Sequence, residues 1–341
     1  MKRAWFFAAL LAVAGGSAYA GPAGTPSSGT RYATDAYPGF DREENIVSPS
    51  KKTPRWFGWI NGPAEDTPAE QLAYADKCRE EECFRAARRG YDALVREWPS
   101  SPEAPKAQER LADMYFSHYL EYDNAFEEYR YLLDFYSSQC DYDAIAKRLY
   151  EVAELMREEG KTLVFFRFAN TVDVRRAYEA VVLRVPGADF APAAMKTIAS
   201  LREDDGEWDK AVSVYESLRN LHPGSPEAKE SYYREAVDRM HLVREHAYNR
   251  PRIIDTIAYL RLALQSAPGA EEAADLEDWL KETTAMKENE EFLAAKFYDS
   301  KTRTKRSAID AYEKYLRDNP TGDHADEVRA RLDELKGVSA I

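Results

Sequence analysis

Cysteine is scarce, with Cys78, Cys83 and Cys140 the only three in 341 residues. That excludes a disulfide-dense scaffold. A Cys78–Cys83 bridge would staple a helix turn. Five-residue spacing aligns two helical side chains poorly, which favours thiols packed as small apolar groups. Histidine numbers five, too few and too scattered to suggest a metal site beside three distant cysteines. Positive charge is also short. Lys and Arg total 47 against 60 Asp and Glu, for a net charge of −13, which excludes nucleic acid as the main partner. No G-x-S-x-G or G-x-G-x-x-G occurs. Glu159-Gly160-Lys161-Thr162 contains the GKT of a phosphate-binding loop, but Leu155 stands where the earlier glycine is needed. His241 and His246 lack the spacing and the glutamate of a helical metalloprotease site. The carboxylate runs Glu80–Glu82, Asp204-Asp205 and Glu290-Glu291 read as solvated helix faces. The chain is therefore expected to be no enzyme, and to need neither cofactor nor metal.

Long apolar runs are missing too, apart from one. Trp5 to Ala14 follows Lys2 and Arg3 and precedes Ala18-Tyr19-Ala20. This is the layout of a secretory signal peptide over residues 1–20, cleaved after Ala20. Ten apolar residues are too few to span a bilayer, which takes about 20. A periplasmic location follows as an expectation, and no later segment has the length and apolarity of a membrane span. No cysteine lies near the cleavage site to carry a lipid.

Residues 21–67 differ from the rest. Seven of the 17 prolines lie at or before Pro68, and eight of the 16 glycines at or before Gly62. No helical or strand period runs through this stretch, which reads as a flexible linker. Trp56, Phe57 and Trp59 are costly to expose there, so they either fold back on the first repeat or dock on a partner.

From residue 68 to 337 the apolar period is helical, and no stretch sustains a two-residue alternation. The exception is Leu163–Phe168, a tract compatible with a short extended piece. Phe165 and Phe166 within it either cap a neighbouring repeat or grip a partner. The sequence is also self-similar. A small residue is followed four on by an aromatic or apolar one, seven on by another, and twelve on by proline. The copies are Ala87, Tyr91, Leu94, Pro99; Ala125, Tyr129, Leu132, with Ser137 in place of proline; Val174, Tyr178, Val181, Pro186; Ala211, Tyr215, Leu218, Pro223; Thr256, Leu260, Ala263, Pro268; and Ala308, Tyr312, Tyr315, Pro320. Five residues after each proline stands alanine: Ala104, Ala191, Ala228, Ala273 and Ala325.

Each joint has the chemistry of a helix stop and a helix start. Proline cannot continue a helix, and the Ser, Gly and Asp residues beside it suit a turn and a new N-cap. The pattern predicts an all-α fold of about six tetratricopeptide-like helical hairpins, stacked into a right-handed superhelix. Proline spacings of 37, 45 and 52 residues exceed the 34 of the short tetratricopeptide form. They call for longer first helices or insertions, with Gly160–Asp173 one insertion and Glu271–Ser300 a long helix. Lys301, Arg303, Lys305 and Arg306 are the densest basic run. They form either a solvated turn between helices or a docking point for an acidic loop.

Residues 68–336 resemble the BamD-like component of the outer-membrane β-barrel assembly machine. The likeness is strongest at Glu291, Ala295, Phe297, Tyr298, Ala308, Tyr312, Tyr315 and Pro320. It implies a helical repeat scaffold that binds a barrel-shaped assembly subunit and nascent outer-membrane proteins; membrane contact only through those partners is the expectation for a chain without the lipid-bearing cysteine. The best-known members carry an N-terminal lipid on a cysteine that this chain lacks. An alternative with the same scaffold is an envelope adaptor coordinating peptidoglycan synthesis with outer-membrane constriction.

Overall fold

The structure is a computed structural model that describes residues 37–41, 62–162, 171–266, 269–301 and 305–337. Among these residues every regular element is helical. The helices are α1 (Pro68–Glu80), α2 (Phe84–Glu97), α3 (Ala104–Met114), α4 (Tyr122–Phe135), α5 (Tyr142–Thr162), α6 (Thr171–Arg184), α7 (Ala191–Asp204), α8 (Trp208–Leu221), α9 (Pro226–Glu245), α10 (Arg250–Gln265), α11 (Ala270–Lys301), α12 (Lys305–Asp318) and α13 (Ala325–Lys336). A π-helical stretch, Tyr115–Tyr119, joins the end of α3 to Leu120. None of the described helices is long and apolar enough to cross a membrane.

Two compact units are present. One contains described residues 62–152, and the other contains those from 153 onward together with 37–41. Within each unit the helices pack in antiparallel succession. In the first, α1 packs on α2, α2 on α3 and α3 on α4. In the second, the succession runs from α6 through to α13, and α9 also touches α7 and α11. Those extra contacts join the first helices of consecutive hairpins, which is how a helical repeat buries a face that one hairpin leaves open.

The joints show why the helices stop where they do. Pro99, Pro186, Pro223 and Pro320 each stand two residues past the last helical residue, and Ser137 holds the same place after α4. The missing N–H and the ring forbid a further helical turn there. Ala104, Ala191 and Ala325 are the first residues of α3, α7 and α13, and all three are buried. Ala273 lies further into α11 and is only half-buried. Side-chain capping at these joints is rarer than the turn residues suggest. Ser225 caps α9 by accepting from the Ala228 amide at 3.0 Å, whereas α3, α7 and α13 have no side-chain cap. At the start of α1, Thr67 accepts from the Glu70 amide and donates its hydroxyl to the Glu70 carboxylate at 2.6 Å, and Pro68 fills the first helical position.

Ala87, Tyr91, Ala125, Tyr129, Tyr178, Ala211, Tyr215, Ala308 and Tyr312 are all buried. The two helices of the first hairpin approach closely at Gly90. A Cβ added there would lie 2.8 Å from the Ala75 Cβ of α1, and Gln71 of α1 donates to the Gly90 carbonyl at 3.0 Å. The second hairpin repeats the arrangement, with Gln108 of α3 donating to the Glu128 carbonyl at 3.2 Å. Each acceptor immediately precedes the repeat tyrosine.

The tyrosines are also tied by their hydroxyls. Tyr91 donates to Asp76 at 2.7 Å, Tyr129 to Asp113 at 2.5 Å, Tyr215 to Glu203 at 2.7 Å and Tyr312 to Asp299 at 3.3 Å. Each acceptor sits on the first helix of the same hairpin. In three cases the same carboxylate also takes an arginine from the next hairpin's first helix or, at the chain's end, from α13. Arg110 pairs with Asp76, Arg234 with Glu203, and Arg331 with Asp299 at 2.8 and 3.1 Å. Burial and the neighbouring carboxylate push the phenols up, Tyr312 to about 12, so all four remain donors at neutral pH. One carboxylate thus joins both helices of its hairpin to the next element in the stack.

Candidate peptide-binding site

Tyr37-Pro-Gly-Phe-Asp41 lies inside the stretch expected to be a flexible linker, yet it is seated on α6–α8 of the second unit. The local sequence dictates a turn. Pro38 presets its own φ, and Gly39 adopts a φ of +95° that side chains disfavour. This is the Pro-Gly order of a type II turn. The Phe40 amide closes it onto the Tyr37 carbonyl at 3.1 Å, and the two aromatic rings stack with centroids 5.1 Å apart. Space demands glycine as well, because a Cβ at Gly39 would lie 2.6 Å from the Lys210 carbonyl oxygen.

The recess under the turn is charged, and its two arginines, Arg175 and Arg202, are buried. Arg202 of α7 has a relative exposure of 0%, which is unusual for arginine; its two terminal nitrogens are paired, whereas its Nε has no hydrogen-bond partner among the described residues. It donates to the Gly39 carbonyl at 2.7 Å, to Glu179 of α6 at 2.9 Å and to Glu207. Arg175 of α6 donates to Asp41 at 2.9 Å and to Asp205 at 2.5 Å. The Asp41 amide in turn donates to Glu179 at 3.2 Å, and Lys210 stands 3.7 Å from the Asp41 carboxylate. Burial alone would raise the Asp41 carboxyl. The hydrogen bonds and charges of Arg175 and Arg202 outweigh it and hold Asp41 at about 2. Burial pushes Glu179 the other way, to about 7, against the opposing charge of Arg202.

A second surface lies on α11. Its inner face packs Phe292 and Ala295 against α12 and α13. Its outer face exposes Leu293, Phe297 and Tyr298, the last two by 60% and 46%. Leu293 and Phe297 are one helical turn apart, and the Phe297 and Tyr298 rings meet edge to face at 6.1 Å. Lys305 and Arg306 begin α12, and both are exposed. A cavity of about 310 Å³ is lined by residues of α8, α9 and α10, among them Asp209, Arg239, Arg252 and Thr256. Its arginines are already paired, Arg252 with Asp209 and Arg239 with Glu235 and Glu216.

Trp56, Trp59, Phe165, Phe166, Arg303 and Pro268 fall outside the described residues. Cys78, Cys83 and Cys140 are free thiols. The Lys161-Thr162 backbone is the last turn of α5, not a loop. Sequence reading missed the seat of Tyr37–Asp41, although the Pro-Gly turn between two aromatics was a local signal for it. It also missed the arginine that follows the repeat tyrosine at 19 positions, at Arg110, Arg148, Arg234 and Arg331.

No family model matches the chain, and no curated protein matches it. One similar solved structure is that of a tetratricopeptide repeat protein from Parabacteroides merdae ATCC 43184. It is 14% identical, covers 79% of this chain and 98% of its own, and superposes with a TM-score of 0.28. No function is transferred from a likeness of that size.

Proposed function

We propose that the chain is a non-catalytic periplasmic scaffold resembling BamD. In this reading it binds the barrel subunit of the outer-membrane β-barrel assembly machine and nascent outer-membrane proteins during their insertion. The observation that carries the reading is the exposed row Leu293, Phe297 and Tyr298 on α11. It lies in the segment where the likeness to that family is strongest, beside the basic start of α12. Clustered aromatics left open to water mark a protein contact, and their rigid rings make effective anchors. The helical hairpin repeat supplies the rigid surface on which such anchors are held. The signal peptide layout at residues 1–20 supports the periplasmic setting.

The test is a tagged pull-down from gently solubilised envelopes, with copurifying proteins identified by mass spectrometry. Recovery of a large β-barrel assembly subunit, lost in a Phe297→Ala/Tyr298→Ala variant with unchanged helicity, is the expected outcome. Recovery of peptidoglycan enzymes or constriction proteins without that barrel would overturn the reading in favour of an envelope adaptor.

A further inference from the structure

The recess on α6–α8 reads few features of the segment that fills it, and none is peculiar to Tyr37–Asp41. It donates to one backbone carbonyl through Arg202, accepts from one backbone amide through Glu179, and pairs one carboxylate with Arg175, Arg202 and Lys210. It excludes a side chain at the turn glycine. A Pro-Gly turn with a carboxylate two residues on meets these demands. The resident segment belongs to a stretch without helical or strand period, so leaving the recess breaks no regular element of its own. Held on the same chain, it occupies the recess at a high effective concentration without needing high intrinsic affinity.

We propose that this recess is a recognition site for a Pro-Gly turn followed two residues later by a carboxylate. Tyr37–Asp41 is its resident ligand in cis, and a partner protein's segment of the same form is its ligand in trans. The resident segment therefore competes with the partner, and the site opens only to a segment that outbids a tethered one. This inference stands apart from the barrel-assembly reading, which rests on α11, and its failure would leave that reading untouched.

The experiment uses a fluorescein-labelled peptide of residues 31–45 and measures anisotropy on the full chain. Three proteins are compared: the unaltered chain, the Gly39→Val/Asp41→Ala variant, and the milder Asp41→Asn variant. Circular dichroism checks that each remains helical. The expected result is at least tenfold tighter peptide binding by Gly39→Val/Asp41→Ala than by the unaltered chain, with Asp41→Asn in between. A peptide carrying the same Gly39→Val change should not bind, and Lys210→Ala in the double variant should weaken binding and reduce its salt sensitivity. Equal binding by all three proteins, or by none, would overturn the proposal. If the double variant fails to fold, Asp41→Asn against the unaltered chain decides: no gain in affinity overturns it.

Discussion

Tyr215 and Arg234 meet on one carboxylate, that of Glu203. They stand 19 positions apart in the sequence, on the second helix of one hairpin and the first helix of the next. The contact therefore serves both the pairing of α7 with α8 and the stacking of α9 upon them.

Tyr215→Phe should cost about 1 kcal/mol, the net worth of one hydrogen bond, because Glu203 keeps Arg234. Arg234→Met should cost more, about 1–3 kcal/mol, because it leaves a largely buried carboxylate short of its charge partner. Urea unfolding of both single variants and the double variant should give a non-zero coupling energy. Strict additivity would mean that the shared carboxylate does not link the two.

Gly90→Ala sets two effects against each other. Alanine gains about 1 kcal/mol of helix propensity over glycine. The new Cβ would stand 2.8 Å from the Ala75 Cβ with backbone close behind, and overpacking costs about 1–3 kcal/mol. The clash should win, giving a lower urea midpoint. A raised midpoint would mean that α1 and α2 separate without loss.

Asp238 of α9 has a relative exposure of 0%, and neither carboxylate oxygen has a hydrogen-bond partner among the described residues. Burial, reinforced by Glu203 and Glu235 and opposed by Arg234, pushes it up to about 8. The folded state then holds a proton that the unfolded state releases near 4. Stability should fall as pH rises from about 4 to 8 and level off above, at up to about 1.4 kcal/mol per pH unit from this group. Asp238→Asn should remove that slope. The equivalent positions elsewhere are Met114, Val152 and Leu335, so Asp238→Leu should raise Tm at pH 8. Thermal melts from pH 5 to 9 check both, and parallel profiles for variant and parent would contradict the assignment.

A chain ending at Pro268 loses α11, whose Leu276, Trp279 and Leu280 cover Met240, Tyr259, Leu260 and Ala263. End repeats act as caps, so the shortened chain should self-associate. Light scattering should report aggregation. A monodisperse monomer would show that α9 and α10 tolerate an open face.

How far the structure was legible depended on the range of the interactions. The burial of Tyr91, Tyr129, Tyr215 and Tyr312 follows from a small residue four positions earlier and a helical period, both local features. Their acceptors Asp76, Asp113, Glu203 and Asp299 were hidden among dozens of similar acidic residues, because no local spacing singles out one carboxylate. The fixed interval to Arg110, Arg234 and Arg331 was the available clue. Gly90 gave no sign of its close approach, since a glycine in a helix reads as a defect until the facing helix is in place.

By itself the sequence determined the helices and their joints. Apolar period and proline act within a few residues of one another and need no distant partner. Only the tertiary structure decided that Tyr37–Asp41 is seated and that Asp238 is buried. The partners of Asp41 lie more than 130 residues away, and the surroundings of Asp238 come from separate helices. Such contacts depend on how the hairpins stack. Composition, which made residues 21–67 look like a plain linker, records nothing of the buried arginine that holds the turn in place.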